Sequence, residues 1–389
     1  MEKQGKRGMA LLAMTALLGL QLLGWQPPAT AADKNVSIGF AGPLTGLSSA
    51  SGTSMLNAVK MAVDEINGAE MRLGSDRLVL KLQVQDDKSN PRIAEIAARY
   101  FVRNDTAGVV GIFNSAVAVS SSAIYQKAGI PHFAISGTRR FTQQGHDSAF
   151  RIAAYDEQRA AVLASYVAQE LHKSRVAIVH DDSVFGRDYK EKFESAFTKL
   201  GGKIVSVNSV NATTYDFNDI LKAIRVGKAD AVFFGGLASQ SAMLAQNMYR
   251  LGIEAQLVTA ASLVGPIFLQ TAGPGAEGTV SIMPGAHQRK SKQLDAFEKN
   301  YLQRYNVAPG AYSAVAYDQV QVLAAAIVRA GSANPRKVTA ALHAIKYNGL
   351  TGTISFDAHG DLRDVSFSTY QVRNSVWTMY KQYHVGMGN

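Results

Sequence analysis

Short β-branched apolar runs alternate with longer runs of helical periodicity along almost the whole chain. "VSIGFAG" (36–42) precedes "SMLNAVKMAVDEIN" (54–67), where Leu56, Val59, Met61, Ala62 and Ile66 share one side of a helix. "LVLKLQVQD" (78–86) alternates with period two, and "RIAEIAARYFVR" (92–103) is helical. "AGVVGIF" (107–113) reads as a short buried strand and "SAVAVSSSAIYQKAG" (115–129) as a helix closed by Gly129; "PHFAI" (131–135) is the next strand. Repeated β-α order predicts a parallel sheet with helices on both faces.

The order then restarts. Helix-like "QRAAVLASYVAQEL" (158–171), "DYKEKFESAFTKLGG" (188–202), "FNDILKAIRVGK" (217–228) and "SQSAMLAQNMYRLG" (239–252) alternate with strand-like "RVAIVHDD", "KIVSVNSV", "DAVFFGG" and "AQLVTA". Three more helices follow between 292 and 345, then "TGTISFDAHGDL" (351–362) and two alternating strands, 367–373 and 376–383. No flexible linker marks a boundary. The fold class expected is α/β, with two Rossmann-like α/β lobes lying close together and joined by short crossings.

In such sheets ligands bind where strands end and helices begin. The loops there are poor in acids and rich in small residues: "GPLTGLSSASGT" after the first strand, "FNSA" (113–116) after the third and "SGTRR" (136–140) after the fourth. Free backbone N–H groups and hydroxyls at helix N-termini suit an anion. Ser115, Ser136 and Thr138, with neighbouring Asn114 and Gly137, are therefore candidates to hold a carboxylate. Each charge-assisted hydrogen bond would contribute roughly 1.5–3 kcal/mol. Ordinary helix capping is the other reading of these same hydroxyls.

Catalytic patterns do not occur. There is no G-x-S-x-G, H-E-x-x-H or P-loop, and the eight histidines are scattered without ligand spacing. His180-Asp181-Asp182 is the best acid/base candidate, and it reads equally as a polar strand end. The expectation is a binding protein, not an enzyme, with no metal and no cofactor.

The N-terminus carries Lys3, Lys6 and Arg7, the apolar run Met9–Trp25, and small residues at Ala29 and Ala31. Residues 1–32 are expected to be a secretory signal peptide, cleaved after Ala31 or Ala32. The apolar run is short for a membrane span of ~20 residues. The chain has no cysteine, so disulfides, thiolate metal sites and a lipid-bearing N-terminal cysteine are excluded. A soluble periplasmic protein is expected. The formal net charge of +10 falls to about +8 without the signal region, where three cations face Glu2. Its basic clusters are short and lack interleaved aromatics, so nucleic acid is not expected as a partner; the charge can draw anionic ligands.

Taken in order, "VSIGFAGPLTG", "DD" (86–87), "AIVHDDSVFGRD" (177–188), "ADAVFFGG", "AGPGAEGT" and "TGTISFDAHGDL" resemble the type I periplasmic binding proteins of branched-chain amino acid ABC transporters, the Leu/Ile/Val-binding kind. The resemblance runs from about Val36 to the C-terminus. It implies two lobes joined by three hinge crossings, 34–154 plus 285–352 and 155–284 plus 353–389, which close over a ligand in the cleft. It also implies a monomer that delivers a small carboxylate to a membrane permease. In the family, a serine at a helix start and an [AS]-x-T loop hold the ligand carboxylate; Ser115, Ser136 and Thr138 stand at those positions.

The departures from the pattern concern ligand class. The family acid that pairs with the ligand ammonium falls on Ala261, and three tyrosine positions become Ser51, Phe185 and Leu237. Phe185, Leu237, Ala261 and Tyr155 are expected to form an apolar wall, and Arg139 is a candidate partner for a carboxylate. An aromatic or short aliphatic acid without an α-amine is the expected ligand. The alternatives are an amino acid whose ammonium is held by Asp156, Glu157 or Asp182, and a sensing role beside a membrane receptor.

Overall fold

The computed structural model describes residues 32–211, 213–284 and 291–386. The expected signal peptide, apart from Ala32, and the crossing expected at 285 lie outside the described residues. Two sheets organise the chain. The first is six-stranded, in the order β2 (Arg72–Leu73), β3 (Asp76–Asp86), β1 (Asp33–Gly42), β4 (Val109–Ile112), β5 (His132–Ala134), β6 (Ala149–Arg151). All its pairings are parallel except β2 with β3. The second contains β7 (Arg175–Asp181), β8 (Lys203–Val210), β9 (Ala231–Gly235), β10 (Gln256–Thr259), β11 (Val280–Pro284), β14 (Asp364–Arg373) and β15 (Val376–Gly386), in the order β15-β14-β11-β10-β9-β7-β8. A small hairpin, β12 (Tyr347–Gly349) with β13 (Gly352–Ile354), stands apart.

Strand alternation divides each sheet between two cores. In the first, Ile38, Phe40, Phe133 and Phe150 pack with the helices Ser49–Gly68 and Ser313–Ala330. Ala41, Ala134 and Ala149 point the other way, to Ala97, Phe101 and Tyr125 of the helices Pro91–Arg103 and Ser115–Ala128. In the second, Val176, Ile178 and Phe233 face Tyr189, Phe193 and Phe197 of the helix Val184–Lys199, with the Phe193 and Phe233 rings stacked at 3.9 Å. Ala177, Val179, Val232 and Phe234 face the helices Asn218–Val226 and Ala238–Arg250. Each fully buried Phe or Leu side chain contributes roughly 1.5–3 kcal/mol, so these cores hold the fold without disulfides.

Two elements depart from what periodicity predicts. The first helix starts at Ser49, five residues before the apolar periodicity begins. Gly52 permits this: a Cβ there would lie 1.8 Å from the Pro43 carbonyl oxygen, so the first turn packs directly on the loop after β1. Ser51 thus sits in a helix, not a loop. The two C-terminal strands β14 and β15 join the second sheet antiparallel, where the alternation of parallel units stops.

The "DD" pair builds the loops beside the first sheet. Asp86 accepts from Leu44 N (2.9 Å), Thr45 Oγ1 (2.6 Å) and Lys88 N (2.9 Å) and so shapes the loop after β1. Asp87 is fully buried; its Oδ1 accepts from Ser89 N at 2.8 Å, and its Oδ2 has no partner among the described residues. Burial pushes the Asp87 carboxyl up to about 6. Its folded value exceeds its unfolded one, so the native state binds the extra proton at low pH, and stability falls as pH rises through 6. Asp87→Asn is expected to raise unfolding free energy at pH 7 by roughly 2–3 kcal/mol. The advantage should vanish towards pH 4. Urea titrations of both proteins at the two pH values check this, and a pH-independent difference would refute it.

Candidate functional site

Each sheet reverses its strand order once, between β1 and β4 in the first and between β7 and β9 in the second. Loops at the carboxyl ends of strands beside such a reversal splay apart and leave a crevice. Here the two crevices face each other. Together they line one cavity of about 140 Å³. Leu47 and Ser48 follow β1, Asn114 follows β4, Ser183 follows β7 and Leu237 follows β9; Ser136 after β5 and Ala261 after β10 complete the ring.

The two expected clamp loops meet in this cavity. Ser136 Oγ donates to Ser115 Oγ at 2.9 Å across 21 residues of chain, and both side chains are buried. Ser115 opens the helix Ser115–Ala128, so the amide N–H groups of that first turn lie beside the pair. Asn114 lines the cavity, and its buried Oδ1 has no partner among the described residues.

The cation at this site is Arg159, which the sequence reading did not single out. It lies one turn into the helix Asp156–Ser165, lines the cavity and is 4% exposed. Its Nη2 donates to Asp156 Oδ1 at 2.5 Å, while its Nε has no partner among the described residues. Gly137 makes the arrangement possible. A Cβ there would lie 2.0 Å from Asp156 Oδ1 and 3.0 Å from Arg159 Nη2, so only a glycine lets the clamp loop lie against the ion pair. Burial works against the Arg159 charge, and the neighbouring Tyr189 and Asp156 outweigh it, with a net upward shift. The one available signal in the sequence was the i, i+3 spacing of Asp156 and Arg159 at the start of an otherwise apolar helix face.

Of the expected site residues, Ser51, Asn114, Ser115, Ser136, Gly137, Phe185, Leu237 and Ala261 all line the cavity. Thr138, Arg139 and Tyr155 do not. Thr138 Oγ1 turns towards the second lobe and donates to Asp188 Oδ2 at 3.2 Å. Arg139 is half-exposed, pairs with Glu157 at 3.4 Å and lies over the Tyr155 ring at 4.4 Å. Tyr155, expected in the apolar wall, is buried at the crossing between the lobes, where its hydroxyl donates to Asp361. Phe113 and Tyr312, packed edge-to-face at 5.2 Å, take its place as aromatic lining.

No Asp or Glu among the described residues lines the cavity. Each of the three acids considered as ammonium partners is paired with another group, although the buried Asp156 Oδ2 has no partner among the described residues. Asp156 holds Arg159 behind Gly137, Glu157 holds Arg139 and Lys192, and Asp182 accepts from Ser209 Oγ. His180-Asp181-Asp182 is a strand end that builds a turn: His180 Nδ1 contacts the Asp181 carbonyl, and Asp181 accepts from Ser183, which caps the next helix.

Residues 35–374 match the model of a family described as periplasmic binding protein. A leucine-, isoleucine-, valine-, threonine-, and alanine-binding protein of Pseudomonas aeruginosa is 27% identical over 357 residues, 90% of this chain and 93% of that one. The branched-chain amino acid transporter substrate binding protein of Streptococcus pneumoniae, solved with isoleucine, superposes with a TM-score of 0.82 at 24% identity, over 91% of this chain and all of that one. A solute binding protein of an ABC transporter from Rhodopseudomonas palustris, solved with 3,4-dihydroxybenzoic acid, gives 0.80 at 20% identity, over 91% and 98% of the two chains.

Proposed function

The chain belongs to the periplasmic binding protein family, as a solute-binding protein of the ABC-transporter kind, and we propose that its ligand is a small carboxylate without an α-amine. The observation that carries this reading is the charge of the cavity wall: among the described residues it has one buried arginine, several hydroxyls and no acid. A carboxylate would meet Arg159, Ser115 and Ser136 together. An ammonium would meet nothing of opposite charge, at a cost of roughly 3–5 kcal/mol, a hundredfold or more in affinity. Phe113, Tyr312, Phe185 and Leu237 suit an aromatic or short aliphatic body. The fold itself does not choose, since one structural neighbour holds isoleucine and another a hydroxylated benzoic acid.

In this reading, residues 34–154 with 285–352 and residues 155–284 with 353–389 form the two bodies that close over the acid. The closed, liganded form is what a membrane permease distinguishes. Export through the N-terminal signal and a monomeric state belong to the same proposal. Thermal-shift titration of ligand-stripped protein tests the ligand class, using leucine, phenylalanine, 4-methyl-2-oxopentanoate, phenylpyruvate, benzoate and 4-hydroxybenzoate. A ligand at 100 times its Kd stabilises by about 2.7 kcal/mol, several degrees in Tm. Amine-free acids are expected to raise the midpoint. If leucine or phenylalanine raises it most, the proposal fails and the amino-acid reading replaces it. Permease and ATPase genes beside this one would favour transport, and a kinase gene the sensing role.

A further inference from the structure

The "FDAHGDL" stretch, which the binding site does not use, ends in a buried ion pair at the crossings between the lobes. Arg151 closes β6 and is fully buried; Asp361, 210 residues later, lies on the third crossing and is 2% exposed. Arg151 Nε and Nη2 donate to Asp361 Oδ1 at 2.8 and 2.6 Å. Nη2 also donates to Thr142 Oγ1 at 2.5 Å, and Nη1 to the carbonyl oxygens of Ser136 (3.1 Å) and Thr138 (2.8 Å). A guanidinium has five N–H donors, and all five are used. The other carboxylate oxygen of Asp361 accepts from the Tyr155 hydroxyl, on the first crossing, and the Arg151 guanidinium lies over the Tyr155 ring at 4.5 Å.

The backbone reinforces this junction. Arg151 N donates to the Gly360 carbonyl at 2.9 Å. Gly360 has φ +83°, and a Cβ there would lie 1.9 Å from the Ala149 carbonyl oxygen, so the third crossing can approach β6 this closely only with glycine at that position. Asp357 Oδ1 holds the turn by accepting from His359 N (2.8 Å) and Asp361 N (2.9 Å).

One guanidinium therefore touches the first crossing, the third crossing and the two carbonyls that flank Gly137 in the clamp loop. A movement of the crossings that displaces Asp361 draws on the same side chain that shapes the loop at 136–138. We propose that Arg151, Asp361 and Tyr155 are positioning residues, a hinge node that couples the angle between the lobes to the conformation of the ligand loop. None of the three lines the cavity.

The test uses ligand-free protein, so that its outcome is separate from the ligand's identity. The chain has no cysteine, so Arg99→Cys on the first lobe and Lys222→Cys on the second, both exposed, take spin labels cleanly. Tyr155→Phe removes only the hydroxyl that donates to Asp361, and Asp361→Asn weakens the ion pair. The full mature chain carrying either change is expected to show a shifted or broadened inter-lobe distance distribution by electron double resonance. Amides of residues 136–143 should exchange about tenfold faster, the factor that corresponds to one lost buried hydrogen bond. Amides of the β7–β9 core should be unchanged. If Asp361→Asn does not fold, Tyr155→Phe decides alone. A lowered Tm with both readouts unchanged assigns the node a purely structural role and overturns the proposal. So does movement of one readout without the other, because the lobes and the loop are then uncoupled.

Discussion

Arg159→Met is expected to weaken binding of the tightest acid in the panel by at least ~100-fold. Lost charge-assisted hydrogen bonds account for roughly 1.5–3 kcal/mol, and the ligand charge then sits in a closed cavity with no cation on its wall, which adds to the loss. The same substitution strands Asp156, buried at 2% exposure beside a missing partner, so stability should also fall, by roughly 3–5 kcal/mol. A second variant separates the two effects. Asp156→Asn combined with Arg159→Met removes both charges and should recover much of the stability while leaving binding lost. Arg159→Lys keeps the charge without the planar fork and should fall between. Calorimetric titration with parallel urea unfolding measures both quantities. If Arg159→Met binds as the parent does, Arg159 is only the counter-ion of Asp156 and the clamp consists of hydroxyls alone.

Ala261→Asp is expected to reverse the order of preference between acids and amino acids. Ala261 lies just past β10, lines the cavity and is 7% exposed. A carboxylate placed there faces the bound acid across a cavity of about 140 Å³. Like charges at such a distance repel, and the new group competes with the ligand for Arg159, so amine-free acids should lose ~100-fold or more in affinity. An α-amino acid brings the missing cation, and leucine or phenylalanine should now produce the larger thermal shift. Competition titration of one amine-free acid against leucine, on both proteins, reads the change directly. Unaltered affinity for 4-hydroxybenzoate would place residue 261 away from the ligand and would remove the main argument against amino acids.

Much of this fold is encoded locally. Alternating strand and helix periodicity determined the parallel sheets, because a period of two or of 3.6 assigns each apolar residue to a face using neighbours only a few positions away. The same local logic located the loops at strand ends, and thus Asn114, Ser115 and Ser136, whereas Leu237 and Ala261 came from the family resemblance; all five line one cavity. It failed where a role depends on partners far apart in sequence. Arg139 and Arg159 look alike as residues, and local pattern favoured the first because it adjoins the clamp loop. The fold sends Arg139 outward to Glu157 and turns Arg159 inward, since Gly137 leaves room for the Asp156–Arg159 pair against the loop. Tyr155 likewise became a hinge residue only through Asp361, 206 positions away. Sequence alone thus determined the elements, the faces they bury and the chemistry of the loops. Tertiary structure decided which cation lines the cavity and which charged groups pair across distant segments, because burial and charge pairing are settled between segments that periodicity does not relate.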